Sequence, residues 1–311
     1  MMHKIAARAA IIPVALMLVF LFVGKIDHFD SRVIREAWQT GHFFLFAGLA
    51  YILTQTHWLK KRPKWQVFAI IVSGSILIGL ITEVLQFLVG RSFQLSDLAM
   101  DTIGGSAGFF LAQISPHRSL IQNTLACFVF VVLTIFGLNK FLVIVYDDTQ
   151  IKLKTPILSD FETPFELTRW RELMTTHEVS KDVVRNGANA LKVTFDAGKH
   201  PHSVLRDMHF DWRDYKALNL SIYNAQPHSQ QMLLLIHDHE SWRSIENHQD
   251  RFNKKLNLRP GWNDISVNID DVRQGPKSRQ IELNRIYSIS FILNKIEDAK
   301  VLYIDHIYLS D

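Results

Sequence analysis

The feature that most constrains this chain is a change of hydrophobic pattern at about Tyr146. Before it the sequence is built from long apolar runs; after it short runs alternate polar and apolar, with many charges. An apolar helix of about 20 residues crosses the bilayer's apolar layer of roughly 30 Å. Alternation at period two marks half-buried strands. Averages over all 311 residues, 48% apolar and 21% charged with a net charge of +4, conceal this division.

The apolar part predicts five membrane helices: Ile5–Val23, His42–His57, Gln66–Val89, Leu98–Ile114 and Leu120–Val145. The second and fourth are short and suit little tilt or a locally thin bilayer. The first reads as a retained anchor rather than a signal peptide, because no small-x-small cleavage pattern precedes Lys25. Between Lys25 and Gly41, the spacing of Phe29, Val33, Ile34, Ala37 and Trp38 resembles a short interfacial helix. Lys60, Lys61, Arg62 and Lys64 lie between Trp58 and Trp65, so this loop is assigned to the cytoplasm by the positive-inside rule. The N-terminus is then cytoplasmic, and five crossings put the later half outside.

With this topology the polar residues of the apolar part meet at one depth. His42 opens the second span, Glu83 and Gln86 share a face near the end of the third, and Arg91 and Asp97 occupy the outer loop. Asp101 follows one turn into the fourth span, on a face continued by Gly104, Gly105 and Gly108. Glycines allow close helix approach, and Ser75 and Gly79 offer a matching small surface. The third and fourth spans are therefore expected to pack together below a polar pocket of His42, Glu83, Gln86, Arg91, Asp97 and Asp101. Charged groups in an apolar layer are costly and are usually paired or functional. The plainer alternative is an ion pair of Glu83 with Arg91, and Asp97 as a helix cap.

Two stretches, "GHFFLFAGLAYIL" and "TEVLQFLVGRSFQLSDLAMDTIGGSAG", resemble the VanZ-like family of membrane proteins. The resemblance runs from about Lys25 to Ala112, and it departs from the family at Asp101, where Asn is usual. It implies an integral protein of a bacterial inner or plasma membrane, acting near the cell envelope. The family takes its name from a role in glycopeptide-antibiotic resistance. The resemblance supplies no reaction.

After about Thr155 the chain reads as all-β, in runs such as "ALKVTF", "ALNLSIY", "QMLLLIHD" and "YSISFIL" separated by turns such as "RNGAN" and "RPGWN". Eight to ten strands suit an antiparallel sandwich or jelly roll. The expected organisation is a helical membrane bundle over 1–146, a charged linker over 147–156, and an extracytoplasmic β-sandwich over 157–311. "SDFETP", "DWRDYKALNLSIYN", "LRPGWNDISVNI" and "VLYIDHIYLSD" resemble galactose-binding-like and carbohydrate-binding jelly rolls. Glycan-binding candidates are Trp170, His237, His239, Trp242 and Arg243, since sugar recognition needs aromatic faces beside polar groups. Trp212 and Trp262 read as core or turn anchors. If the strand continues past Asp238, both histidines share a face. By the same resemblance, Asp160, Glu162 and Asp305 are candidate ligands for a structural calcium, which takes oxygen donors.

Other chemistries leave no trace. A single cysteine, Cys127, excludes an intramolecular disulfide and a cysteine-based zinc site. There is no phosphate-binding loop, dinucleotide fingerprint, nucleophile elbow or HExxH motif. The modest charge and the lack of a recognition motif argue against nucleic acid. The leading expectation is an envelope protein that binds a glycan or lipid-linked head group through its outward-facing pocket and its sandwich. The alternatives are a membrane enzyme acting on a lipid-linked envelope precursor and an anchored adhesion or structural module.

Overall fold

The computed structural model describes residues 31–88, 94–208, 210–243 and 249–311. The first expected span, Ile5–Val23, and Arg91 lie outside these residues. The chain divides into two compact units, Met1–Val143 and Ile144–Asp311, and each is described by itself.

The first unit is helical: α1 (Arg32–Thr54), the short α2 (His57–Lys60), α3 (Lys64–Leu88), α4 (Leu95–Gln113) and the start of α5 (Leu120–Lys154). Ser31 caps α1 by accepting the Ile34 N–H. The expected break between an interfacial helix and a span is absent, and α1 runs through Gly41. The buried stripe Trp38, His42, Leu45 and Phe46 keeps helical period across that glycine. One interior glycine costs only about 1 kcal/mol. Asp97 is not the cap of α4: the helix begins at Leu95, which places Asp97 in its first turn, where a carboxylate suits the helix dipole.

α4 is the middle helix, and its glycines explain why. Gly104 lies against the Phe43 carbonyl and Gly108 against the Ala47 carbonyl, so two glycines four residues apart seat α4 on α1. Gly105 lies against Ser75 Oγ, and Gly79 lies against Asp101, which seats α4 on α3. The glycine face predicted to meet α3 alone is thus split between two neighbours. Among the described residues only α3 and α5 are long and apolar enough to cross a membrane; the sequence predicts four spans over the same range. α1 is interrupted by Arg32, Arg35, Glu36 and His42, and α4 by Asp97, Asp101 and its small polar residues.

The second unit is a sandwich of two antiparallel sheets. One has the order β3 (Thr175–Ser180), β4 (Ala190–Phe195), β11 (Lys300–Ser310), β6 (Ala217–Asn224), β9 (Gly261–Asn268), with β1 (Ile157–Ser159) paired to β11. The other has the order β2 (Trp170–Leu173), β5 (His202–Arg206), β10 (Ile286–Ile292), β7 (Gln230–Asp238), β8 (Phe252–Leu258). Alternation assigns the faces. Leu191, Val193, Leu220, Ile222 and Ile304 of the first sheet pack against Leu205, Leu234, Ile236, Ile289 and Phe291 of the second.

The segment expected to be a linker is mostly helix, since α5 continues to Lys154. Its last turns belong to the sandwich unit. Buried Asp147 pairs with buried Arg169 at 3.2 Å, Tyr146 meets Phe165 edge-on, and Lys154 pairs with Asp160 at 2.7 Å.

Adding a single methyl separates the roles of the helix glycines. Gly104→Ala places a Cβ into the Phe43 backbone and is expected to cost about 1–3 kcal/mol. Gly74→Ala meets nothing within 4 Å and is expected to be neutral or slightly stabilising. Thermal unfolding of the full chain in detergent checks both; equal melting temperatures for the two variants would contradict the close α1–α4 contact.

Candidate functional site

The helical unit places five of the six predicted pocket residues in its interior. His42, Gln86, Glu83, Asp97 and Asp101 are all buried. His42 Nδ1 lies 2.9 Å from Asp101 Oδ1, and its Nε2 lies 3.7 Å from Asp97 Oδ2. The two carboxylates are four residues apart on α4, one turn above the other, and α1 inserts the imidazole between them. A histidine held by one carboxylate and directed at a second can accept a proton and pass it on. Glu83 Oε2 accepts the Gln94 N–H at 2.7 Å and so ties α3 to the start of α4. Gln94 Oε1 in turn accepts from Gln39 Nε2 at 2.9 Å. Lys140 reaches this layer from α5, pairing with Glu36 at 2.8 Å and donating to Gln39 Oε1 at 3.3 Å.

Gln39, Gln94, Glu36 and Lys140 are absent from the residues singled out in the sequence. Lys140 had a legible signal, because an ionisable group inside the most apolar run needs a partner. Gln39 had another, lying three residues before His42 on the same helix face.

The candidate site of the sandwich is a groove on the outer face of the β2-β5-β10-β7-β8 sheet. Strand register builds it. Arg171 pairs with Val204, Val204 with Ser290, and Ser290 with Leu235, which forms one row of outward side chains across four strands. Arg206, Ser288 and His237 form the next row. The floor residues Val204 and Ser290 are small, and the walls are large: Trp242 on one side, Arg171, Arg206 and Arg251 around it. The enclosed volume is about 450 Å³.

Trp242 is brought there by a buried carboxylate. β7 stops at Asp238 and the short α6 (His239–Arg243) begins at once. Asp238 Oδ1 accepts the Ser241 N–H at 2.8 Å and Oδ2 accepts the Glu282 N–H at 2.9 Å. Arg279 donates to both oxygens at 2.6 and 2.7 Å. Burial would raise the Asp238 pKa, but these donors outweigh it and hold it down to about 2. The rings of Trp242 and Tyr287 lie 4.8 Å apart, and the Arg206 guanidinium covers Trp242 at 4.5 Å.

His237 lines this groove as a neutral group. Burial first, and then the Arg251 charge, push its pKa down to about 3. Arg251 Nη1 lies 3.3 Å from His237 Nε2, and Ser288 Oγ lies 3.3 Å from Nδ1. Since the guanidinium can only donate, Nε2 is the acceptor and Nδ1 carries the hydrogen.

The remaining predicted sandwich residues have other places. Trp170 is a core residue, stacked on Phe291, with its Nε1 donating to Ser159 Oγ; it presents no face to a sugar. His239 does not share the face of His237, because the strand ends between them; its ring meets Tyr287 edge-on. Arg243 is exposed and lies 3.9 Å from Glu240. The calcium candidates each meet donors of the protein itself. Asp160 is held by Lys154, Glu162 accepts the N–H groups of Ala188 and Asn189, and Asp305 accepts those of Arg185 and Asn186. Glu162 and Asp305 therefore clamp one turn through its backbone donors. A second hollow of about 470 Å³ on the opposite sheet is lined by Ser221, His306 and Tyr308 and crossed by the Arg185–Asp264 ion pair at 2.6 Å.

Residues 5–116 match the family model described as VanZ/LLP1. The helical part carries a VanZ-like domain. The matched residues include His42, Glu83, Gln86, Asp97 and Asp101. A comparison with curated proteins finds no match. Among solved structures, the sandwich is similar to a family 11 carbohydrate-binding module from Clostridium thermocellum in complex with a β-1,3-1,4-mixed-linked tetrasaccharide. The identity is 16% and the TM-score 0.40, over 50% of this chain and 94% of that one. A family 30 carbohydrate-binding module from Clostridium thermocellum has 10% identity and a TM-score of 0.36, over 46% of this chain and 86% of that one. An exo-β-agarase has 16% identity and a TM-score of 0.40, over 50% of this chain and 25% of the agarase. These likenesses are of architecture, which the strand order of the sandwich establishes independently.

His237 and Asp238 give the sandwich a defined response to acid. Between pH 6.5 and about 3 the unfolded chain protonates His237 while the folded chain does not, so stability falls as pH falls through that window. Asp238 stays ionised in the fold down to about 2, so its contribution is lost between pH 3.8 and about 2. Each effect is on the order of a few kcal/mol. Denaturant unfolding of the full chain against pH is expected to show this loss, and His237→Gln to flatten it above pH 4; an unchanged slope would contradict a buried neutral His237.

Proposed function

We propose that this protein is a membrane-anchored glycan-binding protein of the cell envelope, with the sandwich groove as its binding site. α3 and α5 serve as spanning helices, residues 1–146 as the membrane part, and residues 157–311 as the part outside the cytoplasm. The anchoring is supported by the outward faces of those helices, where Leu77, Ile81, Leu85, Phe128, Ile135 and Phe136 are exposed. An apolar surface of that extent is costly in water. Trp58 and Trp65 are exposed beside Lys60, Lys61, Arg62 and Lys64, with Arg62 stacked 4.3 Å over Trp58, as at a cytoplasmic interface.

The observation that carries the glycan reading is the groove: small residues on its floor, an aromatic wall from Trp242, and arginines placed to donate hydrogen bonds. Concave sites with few fixed polar groups suit ligands of this size. Titrating the full chain in nanodiscs against immobilised envelope oligosaccharides is expected to give saturable binding that Trp242→Ala weakens at least tenfold. Trp262→Ala, in the other sheet, should leave it intact. Equal binding by all three proteins would sink the assignment of this groove.

A second reading rests on the His42–Asp101–Asp97 arrangement. In it the VanZ-like domain is an enzyme that moves a proton during a reaction on a lipid-linked envelope precursor. It predicts turnover of such precursors by the purified protein, lost in His42→Gln and in Asp101→Asn. Binding without conversion by the wild-type protein rules this reading out.

A further inference from the structure

We propose that the sandwich groove takes an anionic saccharide, its charge borne by carboxylate or sulfate groups, and discriminates against neutral glycans. This rests on the glycan-binding reading of the same groove and adds the chemical class of its ligand.

Charge balance is the first observation. The sandwich pairs its arginines with acids almost everywhere: Arg169 with Asp147, Arg185 with Asp264, Arg213 with Asp211, and Arg279 with Asp238 and Asp250. The groove departs from this. Arg171 and Arg206 have no carboxylate at ion-pair distance among the described residues, and Arg206 Nε is buried without a hydrogen-bond partner. The lining holds one acid, Glu172, which accepts the His177 N–H at 2.7 Å, against the three arginines Arg171, Arg206 and Arg251.

Geometry is the second. Arg206 stands on β5 and Arg251 just before β8, with β10 and β7 between them. Three inter-strand steps span roughly 14 Å, the reach of a short oligosaccharide, and Arg171 enters from β2 at the near edge. The guanidiniums are also held in place. Arg206 lies against the rings of Trp242 and Tyr287, at 4.5 and 5.4 Å, and Arg251 is fixed by His237 Nε2 and Asn253 Oδ1. A planar guanidinium held in advance meets a carboxylate or sulfate with two parallel hydrogen bonds and little loss of freedom. A neutral sugar gives the Arg206 guanidinium no counter-charge and would leave it desolvated without one. The floor hydroxyl of Ser290 and the ring of Trp242 suit a carbohydrate backbone between the charges, which an extended acidic peptide lacks.

The test is calorimetric titration of the full chain in nanodiscs with four probes: an oligogalacturonate, a sulfated galactan oligomer, a neutral mixed-linkage gluco-oligosaccharide and polyglutamate. The expected result is that one or both acidic oligosaccharides bind at least tenfold more tightly than the neutral one and polyglutamate. That affinity should fall as NaCl rises, and fall at least tenfold in Arg171→Gln and Arg206→Gln but not in Arg213→Gln. The carboxylate and sulfate arms identify the charged group. Thermal unfolding of each variant separates lost binding from lost folding, and Arg206→Lys supplies a variant that retains the charge. Tight binding of the neutral oligosaccharide, unaffected by the arginine variants, overturns this inference and leaves the glycan-binding reading standing. Equal binding of polyglutamate overturns the saccharide class, and no binding to any probe overturns both.

Discussion

A carboxylate taken out of water must find donors, and both units of this chain are organised around that requirement. In the helical unit Asp101 is enclosed by α1 and α3, and it reaches the imidazole of His42 while the bare backbone of Gly79 leaves room for it. In the sandwich Asp238 is enclosed where β7 ends, and it gathers Arg279, Ser241 and the Glu282 N–H. Neither arrangement sits apart from the candidate site. Asp101 sets the orientation of His42, and Asp238 turns the chain so that Trp242 stands over the groove. The residues that satisfy the buried charge are the ones that shape the surface.

The helical unit shows how small residues make such an arrangement feasible. Gly104 and Gly108 let the α1 backbone approach α4, which brings His42 between Asp97 and Asp101. Larger side chains at these positions would separate the helices and draw His42 away from Asp97 and Asp101. In the sandwich the same economy operates through register. Serines and a valine alternate outward on β5 and β10 while Leu205, Ile289 and Phe291 fill the core, so the groove exists because the outward residues are small.

Much of this was legible in the sequence, for identifiable reasons. Period-two alternation disclosed the strands, and helical spacing put Asp101 and the glycines on related faces. The convergence of His42 with Asp97 and Asp101 followed from placing helix ends at one depth. What was hidden depended on contacts between distant segments. Trp170 carries no local mark that separates a core ring from an exposed one; its partner Phe291 is far away in sequence. The end of β7 at Asp238 is dictated by Arg279 and Glu282, so the expectation that His237 and His239 share a face could not be tested locally. Arg171 and Arg206 lie in ordinary strand sequence, and only the pairing of β2, β5 and β10 shows that they face one groove.

Recognition depends on which surface of the sandwich meets its ligand. Hydrogen–deuterium exchange of the full chain in nanodiscs, with and without a saturating oligosaccharide, tests this most directly. New protection is expected in β5, β10, the end of β7 and residues 239–243. Protection confined to β6, β9 and β11, or the absence of any change in the sandwich while the ligand is bound elsewhere, would contradict it.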